Sequence, residues 1–309
     1  MITTIFSKSR PFNYILVTTL LILCFFLYQL QDATWTDSAL EIGKKVVLLL
    51  LLIASLFISN FITKRNGLSK DNTFPFLFFF SFLILFPTTL GNSNLIIANF
   101  FILLALRRLI SLQSLVTPKE KIFDASLWIF IACLFHFWSI LYILLVFISI
   151  VLHVARDYRN WILPYIAAFT VATIFVLFSM IFNENLVYEL IDRVGFNFEF
   201  DYFTNKYQNI ALSIYAALTV LFVFTQLVSL PNKPLIHHNS YKKIIMAFFI
   251  GFVIYVISPD KNNSILIYTY MPLAVMATGY FENAQGKWTG EATAILVVCL
   301  SFLSFFLQL

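Results

Sequence analysis

Charge is what this sequence has least of. Asp, Glu, Lys and Arg make up 11% of its 309 residues. Soluble domains carry about a quarter, so a globular fold with a fully wetted surface is excluded. Cysteines number three, Cys24, Cys133 and Cys299. Each lies in an apolar run and none forms a C-x-x-C pair, which leaves no disulfide framework and reads as free thiols in packed helices. There is no Walker A loop, H-E-x-x-H, G-x-S-x-G or G-x-G-x-x-G, so none of the chemistries those motifs carry is indicated. The one G-x-x-x-G match, Gly286 to Gly290, lies in a polar loop, not in the apolar span that a dimerisation face needs. No carboxylate, Lys or Arg is expected at mid-span, which argues against a proton-coupled pump or a voltage sensor.

What is present is apolar. Hydrophobic residues make up 61% of the chain, with 37 Phe, and the mean hydropathy is +0.89. Runs of about 18 or more apolar residues recur along the whole length, each long enough to span a bilayer as a helix. The expected fold is all-α: one polytopic transmembrane bundle over residues 1–309, without a soluble domain. The net charge of +5 follows from basic cytoplasmic loops and does not indicate nucleic acid. Lys8 and Arg10 before the first apolar run place the N-terminus in the cytoplasm. That run is too long for a signal peptide and reads as an uncleaved first span.

The stretch from Phe123 to Asn160 fixes the orientation of the rest. It is apolar and aromatic from Phe123 to Val154, with His136 near its middle. Arg107, Arg108, Lys119 and Lys121 precede it, and Arg156 and Arg159 follow it. Both clusters belong inside, so an even number of crossings lies between them. A single helix of the 32 residues from Phe123 to Val154 would be ~48 Å long and would separate the clusters. A tight hairpin turning near His136 to Ser139 keeps them together, provided that protein or water covers its irregular backbone.

The remaining spans are expected near 12–30, 45–63, 73–86, 95–110, 161–182, 208–230, 244–258, 264–280 and 292–309. Pro164 is placed in the first turn of its span. Ser38 and Glu41 fit a capping box that starts a helix by about Ala39. With the hairpin at 123–154 this makes about eleven segments, N-in and C-out. On that topology fifteen of the twenty Lys and Arg are inside, and nine of the fifteen acids are outside. The five outer cations are Lys44, Lys45, Arg193, Lys206 and Lys261. The longest outer loop is 183–207, where GFNFEFDYF alternates aromatic and polar residues as extended or interfacial chain does.

Candidate site residues follow from this layout. Asp32 and Asp37, on the first outer loop, are the candidate catalytic carboxylates, since a carboxylate beside the bilayer can act as a general base on a hydroxyl. The loop at 183–207 is placed to fold over them. Arg193 and Lys206, with Lys44 or Lys45, are candidates for binding a lipid phosphate. His136 is the one side chain deep in an apolar run that titrates near neutral pH. It reads either as a core histidine at a helix break or as a contact to an anionic head group. His153 reads as interfacial. His237 and His238 lack a third ligand, so no metal and no cofactor is expected. The partners expected are the lipid bilayer, a polyprenyl-phosphate lipid and other membrane proteins, with no nucleic acid.

With its N-terminal inside signal, an acid on the first outer loop and a short broken helix pair followed by basic residues, the layout resembles the GT-C membrane glycosyltransferases over residues 12–180. The resemblance implies a polyprenyl-phosphate-linked sugar donor, with Asp32 or Asp37 as the acid. It departs from that family in having His136 where a Lys or Arg is usual, a short first outer loop, and no large C-terminal outer domain. Taken whole, the chain resembles an uncharacterised integral-membrane family of flavobacterial type, which implies a bacterial inner membrane and no particular activity. Three readings stand: a non-catalytic component of envelope biogenesis, a GT-C-like transferase at the outer face, and a transporter or flippase.

Overall fold

A computed structural model of the chain describes residues 2–31, 35–36, 38–183, 185–195, 197–198, 205–259, 261–283 and 287–309. Asp32, Asp37 and much of the loop at 183–207 therefore lie outside the described residues. Every regular element among the described residues is helical. In order they are α1 (Ile2–Phe6), α2 (Pro11–Gln29), α3 (Ala39–Arg65), α4 (Phe74–Leu85), α5 (Ser93–Ser111), α6 (Pro118–Phe135), α7 (Ile143–His153), α8 (Arg159–Phe182), α9 (Asn185–Asp192), α10 (Lys206–Ser229), α11 (Leu235–Ile257), α12 (Ile267–Asn283) and α13 (Lys287–Gln308). Eight of them, α2, α3, α5, α8, α10, α11, α12 and α13, are long and apolar enough to cross a membrane. The chain is a multi-pass helical membrane protein. α4 and α7 are shorter apolar helices, and α6 carries Lys119, Glu120, Lys121 and Asp124 in its first two turns.

The centre of the bundle is α4, FPFLFFFSFLIL, in which every residue is buried. At 12 residues it is only ~18 Å long, and a helix apolar all round is a core helix. It packs against α12, α13 and α3. Phe78 is the hub: its ring lies 4.7 Å from that of Phe281 and also meets Phe74, Phe82 and Phe222. α12 is the second core helix, buried without a break from Ile267 to Gly279. In lipid, helices gain little by hiding apolar surface from one another, so close packing and interhelical hydrogen bonds hold them. Gly251 of α11 shows this. A Cβ there would lie 2.9 Å from Thr269 Cγ2 and 3.2 Å from the Tyr142 hydroxyl and the Tyr268 backbone.

Among the described residues, three of the short 3₁₀ turns, 87–91, 137–142 and 263–266, break the helices at one end of the bundle. They meet. Ser264 Oγ donates to Thr88 Oγ1 at 3.0 Å. Ser139 Oγ and the Tyr268 hydroxyl are 2.9 Å apart. The Tyr142 hydroxyl donates to the carbonyls of Ala247 and Tyr268, at 3.2 and 3.1 Å. The middle break is at His136, where the backbone turns extended between α6 and the 3₁₀ turn. The chain then folds back, because Lys119 at the start of α6 pairs with Asp157 beyond α7 at 3.1 Å. The Arg159 N–H, then the Lys119 ammonium, hold the Asp157 carboxyl below the usual carboxylate range. That contact is complete above the unfolded carboxylate pKa and is lost as pH falls through the depressed folded value.

The opposite end of the bundle is tied by a continuous polar seam. Glu291 accepts from the Ile2 and Thr3 N–H groups. Asn13 Nδ2 donates to Thr73 Oγ1 and to the carbonyls of Ile5 and Lys8. Lys64 pairs with Asp71 at 3.0 Å, and Glu282 accepts from the Lys70 N–H and the Asn72 amide. The Tyr241 hydroxyl reaches the Leu68 carbonyl at 2.8 Å. Lys243, wholly buried, donates to the Leu109 carbonyl at 2.6 Å. Lys121 donates to the Ser111 carbonyl at 2.8 Å. A cation there meets the unpaired carbonyls and negative dipole end of α5.

Three local readings need correction. Ser38 caps α3 by accepting from the Leu40 N–H, but Glu41 pairs with Lys44 at 2.6 Å, the nearer unpaired partner once α3 forms. Pro164 is the sixth residue of α8, beyond the first turn, so it removes a bond to the Asn160 carbonyl. Lys243, expected in a loop, lies within α11; the helix begins at Leu235, since Pro234 cannot donate and only starts it. The histidine pair serves locally: His238 Nε2 bonds the Lys233 carbonyl at 2.8 Å, and His237 packs over Gly67, whose φ of +66° suits glycine.

Gly251→Leu is expected to lower stability by about 3 kcal/mol or more through overpacking. Gly43→Leu, inside α3 where nothing lies within 4 Å, should leave stability unchanged or raise it by up to ~1 kcal/mol, since glycine is a poor helix former. Thermal unfolding in detergent compares the two. Equal tolerance would contradict the close approach of α11 to α12.

Candidate functional site

Beside the three breaks, at the end of the bundle away from the seam, lies an open cavity of about 570 Å³. Its walls come from distant parts of the chain. Asn92, Asn94 and Leu95 open α5; Phe135 to Trp138 form the break after α6; Arg193 follows α9; and Ser258, Pro259, Lys261, Asn262 and Ile265 connect α11 to α12. No single stretch of sequence contains it.

Local chemistry explains each wall. Asn92 caps α5, its Oδ1 accepting from the Leu95 N–H at 3.3 Å. The first turn of a 19-residue helix therefore faces the cavity with its positive dipole end. Asn262 caps the next 3₁₀ turn in the same way, accepting from the Ser264 N–H at 3.1 Å. His136 Nε2 lies 3.3 Å from Ser258 Oγ, and its ring centre is 5.5 Å from that of Tyr268. Its Nδ1 is buried with no hydrogen-bond partner among the described residues. Trp138 Nε1 donates to the Gly195 carbonyl at 3.0 Å, and the Asn197 N–H reaches the Ile257 carbonyl at 3.3 Å. These two bonds lay residues 193–195 and 197–198 across the cavity's edge as a strap.

Two cations line the cavity. Arg193 is half exposed, and its Nη2 stands 3.8 Å from Glu189 Oε2, a loose one-turn pair worth little in water. Lys261 Nζ lies 5.9 Å from the ring centre of Phe198, a cation–π contact. No carboxylate is among the described lining residues; Asp260 lies outside the described set. A pocket with two cations, a helix N-terminus and several amides and hydroxyls is chemically suited to hold an anion.

Of the residues singled out from sequence, His136 and Arg193 share this cavity. Lys206 does not line it: it is the first residue of α10 and is exposed. Their place in one polar outer loop at 183–207 treats Arg193 and Lys206 alike, and only the fold separates them. The described part of the loop at 183–207 packs on the break at His136 and on Ile257. Asp32 and Asp37 are outside the described residues, so the structure says nothing of where they stand. Sequence reasoning missed Asn92, Asn94, Ser258 and Asn262. Their signal was the position of each in a turn between apolar runs.

Trp138→Phe removes one hydrogen bond that holds the strap. Deuterium uptake across the strap should rise about fivefold, the equivalent of ~1 kcal/mol, while α12 stays protected. Unchanged uptake would contradict the strap geometry.

No protein-family model matches the chain, and neither a curated protein nor a solved structure matches it.

Proposed function

We propose that this chain is a ligand-binding component of envelope assembly in a bacterial inner membrane, and that its ligand presents a phosphate-like anion. The orientation follows from charge. Lys and Arg collect in cytoplasmic loops, and fifteen of the twenty fall on the loops and helix ends of the seam. The seam end then faces the cytoplasm and the cavity faces outward. Helices α4, α6 and α7, added to the eight long ones, give the eleven-segment count, N-in and C-out.

The observation that carries the reading is the composition of the cavity wall. Arg193, held only loosely by Glu189 at 3.8 Å, and Lys261 stand with the N-terminus of α5 and a histidine. A guanidinium offers a planar pair of donors to phosphate, and an ammonium adds a point charge. The same cations would serve a transferase acting on a lipid phosphate. That alternative needs a carboxylate beside the cavity as well, the role given above to Asp32 or Asp37.

Inorganic phosphate titrated into the protein in nanodiscs of neutral lipid tests the binding reading. Arg193→Gln and Lys261→Gln should each weaken binding about tenfold, the scale of a charge-assisted hydrogen bond. Lys206→Gln, outside the cavity, should leave it unchanged. Equal effects from all three variants, or no saturable binding, would overturn the reading.

A further inference from the structure

A second cavity, of about 490 Å³, separates α10 from α11. These helices are consecutive, yet both lean on α12 and leave a groove between them. Leu212 to Leu227 of α10 form one wall and Phe248 to Tyr255 of α11 the other, with Leu266 and Thr269 as the floor. Along α10 the groove is ~22 Å long, against about 30 Å for the whole hydrocarbon layer. Its lining is almost wholly apolar. The Tyr215 hydroxyl donates to Thr269 Oγ1 at 2.6 Å, and Thr269 donates to the Leu266 carbonyl at 2.5 Å, so the floor offers little to a polar guest. Its rim is open: Val220 is 69% exposed and Phe224 66%. Both helices are membrane spans by length and composition, so the medium at that rim is lipid chains.

The groove and the anion cavity share a wall. Tyr255 lines the groove, and Ser258, one turn further along the chain, lines the cavity. Ile265 faces the cavity and the next residue, Leu266, faces the groove. The end of the groove at Tyr255 and Leu266 thus lies beside the cationic cavity, and the rest of the groove lies within the hydrocarbon layer.

We propose that the anion bound in the cavity is the head group of an aliphatic membrane lipid whose chain lies in the groove between α10 and α11. This rests on the anion-binding reading above and narrows its ligand to a lipid. The head group meets Arg193 and Lys261, and the chain follows Leu266 and Thr269 down the groove. A soluble anion would use the cavity alone and would leave the groove without a role.

The test compares inorganic phosphate with a long-chain alkyl phosphate, both titrated into the protein in nanodiscs of neutral lipid. The alkyl phosphate should bind at least about tenfold more tightly, because a chain seated in the groove holds its head group beside the cavity. An alkyl phosphate also partitions into bilayer, so empty nanodiscs are titrated in parallel and affinities are expressed per lipid in the disc. Ala216→Trp fills the groove. It should remove the advantage of the long chain and leave phosphate affinity unchanged, and that unchanged affinity also shows the variant is folded. Val223→Trp serves the same purpose if Ala216→Trp fails to fold. Arg193→Gln should weaken both ligands. Equal affinity for both ligands, or an advantage that survives both groove-filling variants, overturns the lipid inference and leaves the anion cavity standing. Failure of both ligands to bind, or their indifference to Arg193→Gln, overturns the anion reading itself.

Discussion

A backbone N–H or C=O group in hydrocarbon has no water to bond to, and the architecture follows from how the chain meets that constraint. At one end of the bundle it breaks its helices in three 3₁₀ turns and brings the breaks together. Ser264 bonds to Thr88, Ser139 to Tyr268, and His136 to Ser258. Carbonyls at the breaks accept from side chains: Leu85 from Ser304 and Gln308, Leu90 from Gln29, and Phe137 from the Cys133 thiol. The price is a patch of polar backbone, amides and hydroxyls at one end of the bundle, and the cationic cavity lies beside these turns.

The other end meets the same constraint differently. There the carbonyls at the C-terminus of α5 receive lysine ammonium groups, from Lys243 and Lys121. Burial of Lys243 would be costly for an isolated charge. Direct bonds to carbonyls that carry the negative end of the helix dipole offset part of that cost. The two ends thus differ in kind. One is stitched by ion pairs and buried lysines. The other is stitched by hydroxyls and amides, with its cations turned into a cavity. Between them α4 and α12 supply a core of aromatic rings that fixes the distance from one end to the other.

The helical class was readable because apolar runs of span length have few other uses. The break at His136 was readable from charge, since basic residues on both flanks demanded a chain that returns. The role of α4 was not. Its phenylalanines look the same in sequence whether they face lipid or protein, and only its shortness marks it as core. Lys243 was hidden by its neighbours, because PNKPLIHHNSYKK reads as a wetted loop until α11 is seen to begin at Leu235. The cavity was the least readable feature of all. It is made from turns more than a hundred residues apart, and its amides are ordinary turn residues taken one at a time. Arg193 and His136 were legible as odd residues in their surroundings, but nothing in their spacing said that they share a wall.

The central claim is that the bundle has two chemically distinct ends on opposite sides of a membrane, with the hairpin at His136 returning the chain to the basic side. The most direct measurement is labelling of single cysteines by a membrane-impermeant maleimide, in a background with Cys24, Cys133 and Cys299 replaced by Ser. Leu115→Cys and Arg156→Cys flank the hairpin, and Val194→Cys lies on the strap beside the cavity; all three positions are exposed. The account predicts that Val194→Cys alone is labelled from the outer side of right-side-out vesicles. The other two should react only after permeabilisation. Labelling of Leu115→Cys and Arg156→Cys from opposite sides, or of Val194→Cys from the same side as both, would contradict it.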